Sequence, residues 1–84
     1  MAVHPPSDNV LRAFPNAGRV RGKTRFPGGI RRRWKEPDGT IYEWDYENGT
    51  VEVYARRGSP HLGEFDPMTG RQTGPARADR SVEP

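Results

Sequence analysis

The chain has 84 residues, of which 31% are hydrophobic, and it carries a formal net charge of +3 without any cysteine. A chain of this length forms at most one small domain, and the lack of cysteine excludes disulfides and thiolate metal sites. No apolar run approaches membrane-spanning length, and the first ten residues lack the basic and apolar regions of a signal peptide. Neither a membrane anchor nor a signal peptide is therefore expected.

The charge is unevenly distributed along the chain. Residues 1–35 contain nine Lys or Arg and one acid, whereas residues 36–84 contain five Arg and ten acids. Most of the cations are Arg, whose planar guanidinium binds phosphate through two hydrogen bonds at once. Because the aromatic residues Phe26 and Trp34 lie among the N-terminal cations, the pattern favours contact with nucleic acid. A solubilising basic arm is the alternative interpretation.

The N-terminal segment, residues 1–29, is rich in Pro, Gly and Arg and is predicted to be a basic arm. Within it, residues 9–14 are compatible with one short helix, with Ser7 or Asp8 as its N-cap and Pro15 beyond its end.

From residue 30 onward, turn signals recur about every 10–12 residues between short segments rich in β-branched and aromatic residues. This spacing is typical of an antiparallel meander, with strands predicted at roughly 30–35, 41–47, 50–56, 61–66 and 70–73. The sequence therefore predicts a mainly β (α+β) fold, in which residues 30–74 form an antiparallel sheet of about five to six strands. Residues 75–84 are predicted to be a polar C-terminal tail.

The Asn-Gly pair at 48–49 is the strongest hairpin signal and predicts a two-residue type I′ turn. Counting outward from such a turn pairs Asp45 with Glu52 on a polar face. The opposite face is predicted to form the core and consists of Tyr42, Trp44, Tyr46, Val51, Val53 and Ala55. Like charges directly opposite each other destabilise a sheet. The acidic pair is therefore either a solvated face bridged by Arg56 or Arg57, or a carboxylate pair suited to acid–base chemistry.

Residues 41–75, IYEWDYENGTVEVYARRGSPHLGEFDPMTGRQTGP, strongly resemble the C-terminal cytotoxic domain of the ribosome-inactivating E-type colicins and cloacin. The matching features are IYEWD, a Gly four residues after its Asp, Glu52 and Tyr54, the HLG-FDP-TG block and Gly-Pro, preceded by GGIRRRW. The resemblance covers about residues 4–80. It implies a short N-terminal helix followed by a highly twisted antiparallel sheet. It also implies a metal-independent endoribonuclease that cuts small-subunit (16S) ribosomal RNA at the decoding site and blocks translation.

The resemblance also implies a catalytic set of one Asp, one His, one Glu and a C-terminal Arg. By position, these roles fall on Asp45, Glu52 and Arg80, with Arg77 as the alternative to Arg80. The family's His falls on Asn48, which cannot exchange a proton at neutral pH. The alternative function is therefore a weakened or inactive RNA- or ribosome-binding module, and a small interaction domain without RNA is a third possibility.

In the implied mechanism, Glu52 removes the proton of the 2′-hydroxyl and Arg80 stabilises the charge on the phosphate. The general acid is left open between Asp45 and His61, and His61 could instead be a structural histidine at a strand edge. Asn48 could equally be present only for the backbone angles of the turn.

Further residues are candidates for contact with ribosomal RNA. Tyr54 is a candidate for stacking on a base, and Trp34 and Trp44 are assigned to the core. The candidates for contact with the RNA backbone are Arg31, Arg32, Arg33, Lys35, Arg56, Arg57 and Arg77.

The expected partners are the small ribosomal subunit and a small acidic immunity protein, both implied by the resemblance. No metal or other cofactor and no membrane partner are predicted, and a monomer is expected. Action in the cytoplasm is expected, and delivery as a secreted toxin is left open.

Overall fold

The computed structural model describes residues 2–84, and this part of the chain contains eight β-strands and no helix. The strands are β1 (Gly18–Val20), β2 (Arg25–Phe26), β3 (Gly29–Ile30), β4 (Arg33–Lys35), β5 (Ile41–Asp45), β6 (Thr50–Tyr54), β7 (His61–Phe65) and β8 (Gln72–Gly74). Six of them form one antiparallel sheet in the order β1-β4-β5-β6-β7-β8, while β2 and β3 form a separate hairpin. The predicted mainly β fold is confirmed. Among the described residues, no helix is long and apolar enough to cross a membrane.

The short helix compatible with residues 9–14 is not formed, and this stretch is a series of turns. Asn9 has a φ of 59°, in the left-handed region, which a right-handed helix excludes. The Asp8 carboxylate accepts a hydrogen bond from the N–H of Val10, and the N–H of Asn9 donates to the carbonyl of Pro6, so this stretch folds as consecutive turns. The sheet also begins earlier than predicted, because β1 lies inside the segment predicted to be an arm.

One face of the main sheet packs on the hydrophobic core. The buried members of this core are Leu11, Ala17, Trp34, Tyr42, Trp44, Val51 and Val53. Both tryptophans are buried, as assigned from the sequence, and their indole N–H groups donate to N-terminal carbonyls. Trp34 donates to Asn9 at 2.9 Å and Trp44 donates to Val3 at 2.8 Å. The core thereby fixes the N-terminal segment. Of the other predicted core residues, Tyr46 packs at the edge and Ala55 is half-buried.

The register between β5 and β6 differs from the prediction. The connection has four residues, 46–49, so that Asp45 lies opposite Thr50 and Glu43 lies opposite Glu52. The predicted pairing of Asp45 with Glu52 is wrong by two residues. Because side chains alternate between faces with a period of two, a shift of two residues leaves every side chain on its predicted face.

The side chain of Asp45 explains the longer turn. Its Oδ1 accepts hydrogen bonds from the N–H groups of Glu47 at 2.8 Å and Asn48 at 3.1 Å. Its Oδ2 accepts from the Asn48 side-chain amide at 3.0 Å. Such local bonds compete with the ladder of a two-residue turn. Gly49, with a φ of 70°, supplies the left-handed position that closes the loop.

The C-terminal residues, predicted to be a tail, fold back onto the sheet. The N–H of Val82 donates to the carbonyl of Gly58 at 2.9 Å, and the N–H of Arg77 donates to the side chain of His61 at 3.0 Å. Gly58 permits this approach, because a Cβ at that position would lie 1.8 Å from the carbonyl oxygen of Val82. This contact brings Arg77 and Arg80 to the polar face of the sheet.

Candidate active site

The polar face of the sheet carries buried charged groups at its centre. Glu43 of β5 and Glu52 of β6 lie directly opposite each other, and Asp45 and Thr50 form the next pair along the same strands. His61 enters this face from β7, where a register irregularity follows Val53. Glu43, Glu52 and His61 are only 1%, 7% and 3% exposed. Burial of so many ionisable groups requires that each has a partner.

A cleft of about 220 Å³ opens on this face. It contains all four residues predicted to be catalytic, which are Asp45, Glu52, His61 and Arg80. Asn48 also lines it, at the position where the family has its histidine, as do Arg31, Glu64 and Arg77. The fold therefore gathers residues from β5, β6, β7 and the C-terminal segment into one site.

Glu52 is the residue on which the cleft contacts converge. Its Oε1 lies 2.7 Å from Nε2 of His61 and 3.2 Å from Nη1 of Arg80. Arg80 is half-exposed, whereas His61 is buried, so the two neighbours differ in their access to solvent. Both contacts are made to the same oxygen, Oε1, and neither is made to Oε2.

The hydrogen bonds of His61 define its tautomer. Its Nδ1 accepts the backbone N–H of Arg77 at 3.0 Å, so the ring proton belongs on Nε2, which donates to Glu52. A second proton on Nδ1 would point at the Arg77 N–H and break that bond. His61 is thus arranged to orient Glu52 and not to release a proton to a substrate, which favours the structural interpretation of this histidine.

Glu64 is a member of the site that sequence reasoning missed. Its Oε2 accepts from the Thr50 hydroxyl at 3.0 Å and lies 3.5 Å from the side-chain amide of Asn48. It lies between HLG and FDP in the sequence, and strand alternation from the opposing Glu52 would have placed it on the polar face.

Three carboxylates of the cleft lie close together. Oxygens of Asp45, Glu52 and Glu64 lie within 4.8 Å of one another. Each of these carboxylates also accepts hydrogen bonds from protein donors, from Asn48 in the case of Asp45 and from His61 in the case of Glu52.

Arg33 does not occupy the position expected of an RNA-binding residue. It is 1% exposed, and its Nε and Nη2 donate to Oε2 of Glu43 at 3.0 and 2.8 Å. Thr24 donates to the same oxygen at 2.7 Å. The predicted RNA contact of Arg33 is corrected accordingly, because a sealed guanidinium cannot reach a phosphate. The residue instead compensates a buried acid.

Tyr54 is also placed differently from the expectation. It is 5% exposed and its ring packs 5.0 Å from the ring of His61, so it offers no open face to a base. Burial raises the pKa of Tyr54, and the nearby carboxylates of Glu43 and Glu52 raise it further. The stacking role predicted for Tyr54 is therefore corrected to a packing role beneath the cleft.

The remaining predicted RNA contacts divide into two groups. Arg31 and Arg77 line the cleft. Arg32, Lys35, Arg56 and Arg57 lie outside the set of residues that line it. Within the outer group, Arg56 and Arg57 are exposed after β6, Lys35 is half-buried in β4, and Arg32 donates to the side chain of Asn9. Only the first group can contact an RNA strand at the cleft itself.

The sequence is similar to a known protein family and to three curated proteins. A sequence model of the family described as Cytotoxic matches residues 4–83. Colicin E3 of Escherichia coli is 50% identical over 46 residues, which cover 54% of this chain and 8% of that protein. Cloacin and Colicin-E6, also of Escherichia coli, are both 45% identical over 56 residues, covering 61% of this chain and 10% of each relative.

The chain thus spans a tenth or less of the length of these curated relatives. The family match, in contrast, extends over nearly the whole chain and includes every residue of the cleft. The chain belongs to the Cytotoxic family.

Proposed function

We propose that this chain is a metal-independent ribonuclease domain that cuts small-subunit (16S) ribosomal RNA at the decoding site and thereby blocks translation. The observation that carries this proposal is the surroundings of Glu52, a 7%-exposed carboxylate held by His61 and Arg80 on one oxygen. The choice of RNA rests on membership of the Cytotoxic family and on the resemblance of the sequence to ribosome-inactivating colicins.

The reaction that this arrangement supports is attack by the 2′-hydroxyl of a nucleotide on its own 3′-phosphate. Oε2 of Glu52 takes the 2′-proton while the 2′-oxygen forms a bond to phosphorus. The bond from phosphorus to the 5′-oxygen of the next nucleotide breaks, leaving a 2′,3′-cyclic phosphate and a 5′-hydroxyl. Arg80 donates to the phosphate oxygens as negative charge accumulates, a role that its half-exposed guanidinium suits.

Protonation of the leaving 5′-oxygen is the step for which this chain has no suitable side chain in the cleft. Asn48 has no acidic proton to give, Nε2 of His61 is directed at Glu52, and both oxygens of Asp45 already accept hydrogen bonds from the turn. Water is then the proton donor. Since a positioned acid is worth about 10²–10⁴-fold, we expect slower cleavage than with a histidine at position 48.

Asn48 also supports a second function, which is RNA or ribosome binding without cleavage. Its amide donates to Asp45 and approaches Glu64, so it bridges two acids of the cleft by hydrogen bonds alone. A chain that retains the arginines of the cleft but lacks a proton donor would bind phosphate and leave the RNA intact.

One assay distinguishes these functions. Intact ribosomes are incubated with the wild type, Glu52→Gln or Asn48→His, and the RNA ends are mapped by primer extension. We expect one slow cut by the wild type, a loss of about 10²–10⁴-fold in Glu52→Gln, and a gain within the same range in Asn48→His. The exposed acid Glu83 provides the control, since Glu83→Gln leaves the rate unchanged.

Cleavage by Asn48→His alone would favour the binding module. Ribosomes that stay intact with the wild type and with Asn48→His would contradict the ribonuclease proposal itself.

We also propose a small acidic immunity protein as the partner that restrains this domain, and the cytoplasm as its place of action. The family resemblance implies both, and the exposed cations Arg56, Arg57 and Arg77 offer charge complementarity to an acidic surface. Cells that make the active chain alone are expected to stop translating. Coexpression of the cognate immunity protein should restore their growth.

A further inference from the structure

We propose that Phe26 and Tyr46 form a stacking platform for an unpaired nucleobase of the RNA, beside the catalytic cleft. The platform would hold a base next to the nucleotide whose phosphate lies at Glu52 and Arg80. This inference rests on the proposed function, because its ligand is part of the same RNA strand.

The two rings are already stacked on each other. Their centroids lie 4.4 Å apart with an angle of 11° between the planes, although they come from separate parts of the fold. Phe26 belongs to β2 of the small hairpin, and Tyr46 is the first residue after β5. Both are only half-buried. Aromatic side chains in such a position present π faces on which any base can stack.

A cation lies over the phenyl ring of Phe26. The guanidinium carbon of Arg31 lies 5.6 Å from the centroid of the Phe26 ring, and Nη1 of Arg31 donates to the Trp44 carbonyl at 2.9 Å. Gly28 lies against the other edge of the phenyl ring, since a Cβ there would come within 2.7 Å of it. The ring is therefore held before any ligand arrives, which lowers the entropy cost of stacking.

The space in front of the rings adjoins the catalytic cleft, with which it shares Arg31, Asp45 and Glu47. A mainly apolar cavity of about 370 Å³ is lined by Phe26, Tyr46, Arg31 and Asp45, among others. Arg31 and Asp45 also line the catalytic cleft. An apolar cavity that shares a cation with a phosphate site fits one ligand class in particular, a nucleobase joined to a phosphodiester.

The phenyl ring of Phe26 meets Tyr46 at the margin of the hydrophobic core. Phe26 is absent from the hydrophobic core cluster, whose partly buried margin includes Tyr46. Stacking of Phe26 on Tyr46 could still serve only to attach the small hairpin to the main sheet. Leucine at either position would preserve apolar attachment but remove the π face, so the two roles are separable.

The test measures binding in a Glu52→Gln background, so that the probe is not cut. The probes are a fluorescent oligoadenylate of about ten nucleotides and an abasic ribose-phosphate chain of the same length and charge. We expect Phe26→Leu and Tyr46→Leu each to weaken oligoadenylate binding by about 5- to 150-fold and to leave abasic-chain binding unchanged. Tyr46→Phe, which keeps the ring, should retain base-dependent binding.

Met68→Ala is the matched control, because Met68 is a 64%-exposed hydrophobic residue that lines neither cavity. If the leucine variants lose the same affinity for both probes, the ring pair serves only to attach the hairpin, and the proposal is overturned. Should a leucine variant fail to fold, NMR of the Glu52→Gln protein decides. The ring protons of Phe26 and Tyr46 must then shift on addition of oligoadenylate and stay in place with the abasic chain.

The binding test and the ribosome assay can fail independently. Base-dependent binding by a protein that never cuts ribosomes would contradict the proposed function and leave the platform in place. Ribosome cleavage by a protein that binds both probes equally would overturn the platform alone.

Discussion

Two glutamates that face each other across β5 and β6 have opposite surroundings. Glu43 is 1% exposed and receives two hydrogen bonds from Arg33, which is itself 1% exposed. Glu52 is 7% exposed and pairs with buried His61 and with Arg80, whose side chain is 47% exposed. The same residue type, at opposite positions of one ladder, is thus sealed on one strand and accessible on the other.

The location of the paired cation decides what a buried acid can do. Arg33 projects from a strand and cannot leave Glu43 without exposing two unpaired charges to a low dielectric. Arg80 lies in the C-terminal segment, so its guanidinium can turn toward a substrate phosphate while the sheet stays intact. A like-charge pair across a ladder is tolerated because each carboxylate has its own partner.

The comparison predicts unequal effects of the same substitution on stability. Glu43→Gln leaves Arg33 buried without a counter-charge and should lower the free energy of unfolding by about 3–5 kcal/mol. Glu52→Gln keeps a hydrogen-bond acceptor for His61 and loses only a half-exposed ion pair with Arg80, so its cost should be about 1 kcal/mol or less. Urea unfolding followed by tryptophan fluorescence measures both.

The double variant Arg33→Met, Glu43→Leu serves as the control, since removal of both charges should restore much of the stability. Equal losses in the two single variants would contradict the distinction between the sealed and the accessible acid.

Substitutions of His61 test the surroundings of Glu52, the glutamate with the half-exposed partner. His61→Leu removes the hydrogen bond to Glu52, and we expect ribosome cleavage to fall by about 10- to 150-fold. His61→Gln restores an N–H donor without any titratable group and should recover most of the loss, with the pH profile of cleavage unchanged. If His61 instead supplied the leaving-group proton, the glutamine variant would be as slow as the leucine variant.

The sequence was sufficient to predict strands β4 to β8 of the main sheet and the four predicted catalytic residues that line the cleft. Alternation of apolar and polar residues in 41–45 and 50–54 placed every side chain on its observed face, even though the turn was predicted two residues too short. The predicted faces are still correct because the register error is an even number of residues. The loop is longer than predicted because Asp45 accepts hydrogen bonds from two of its backbone N–H groups. Local competition of this kind cannot be read from the Asn-Gly signal alone.

Three other features that sequence reasoning missed depend on contacts between distant segments. The register of β4 with β5 places Arg33 opposite Glu43. β7 and the C-terminal segment cover Tyr54, and the pairing of β7 with β6 brings Glu64 to the cleft. Each is a consequence of register or chain return, which composition and local pattern do not determine.

The phenol of Tyr54 reports on the charges of the two glutamates and Arg80, because it lies near all three. Burial is the main reason that the pKa of Tyr54 is raised above its ordinary value of 10.0; the two carboxylates raise it further and Arg80 opposes them. A raised pKa means that the folded state holds the proton more tightly than the unfolded state does. The resulting stability is complete below about pH 10 and is lost as the pH rises through the folded-state pKa.

We therefore expect opposite shifts from two neutralising substitutions around Tyr54. Glu52→Gln should lower the pKa of Tyr54 but leave it above the ordinary value, since burial remains, whereas Arg80→Gln should raise it. NMR titration of ring-labelled tyrosine measures both, with Tyr54→Phe to assign the signal among the three tyrosines. A shift in the same direction from both variants would mean that Arg80 and Glu52 do not act on this phenol as separate charges. The accessible carboxylate would then be as tightly bound to its cation as Glu43 is to Arg33.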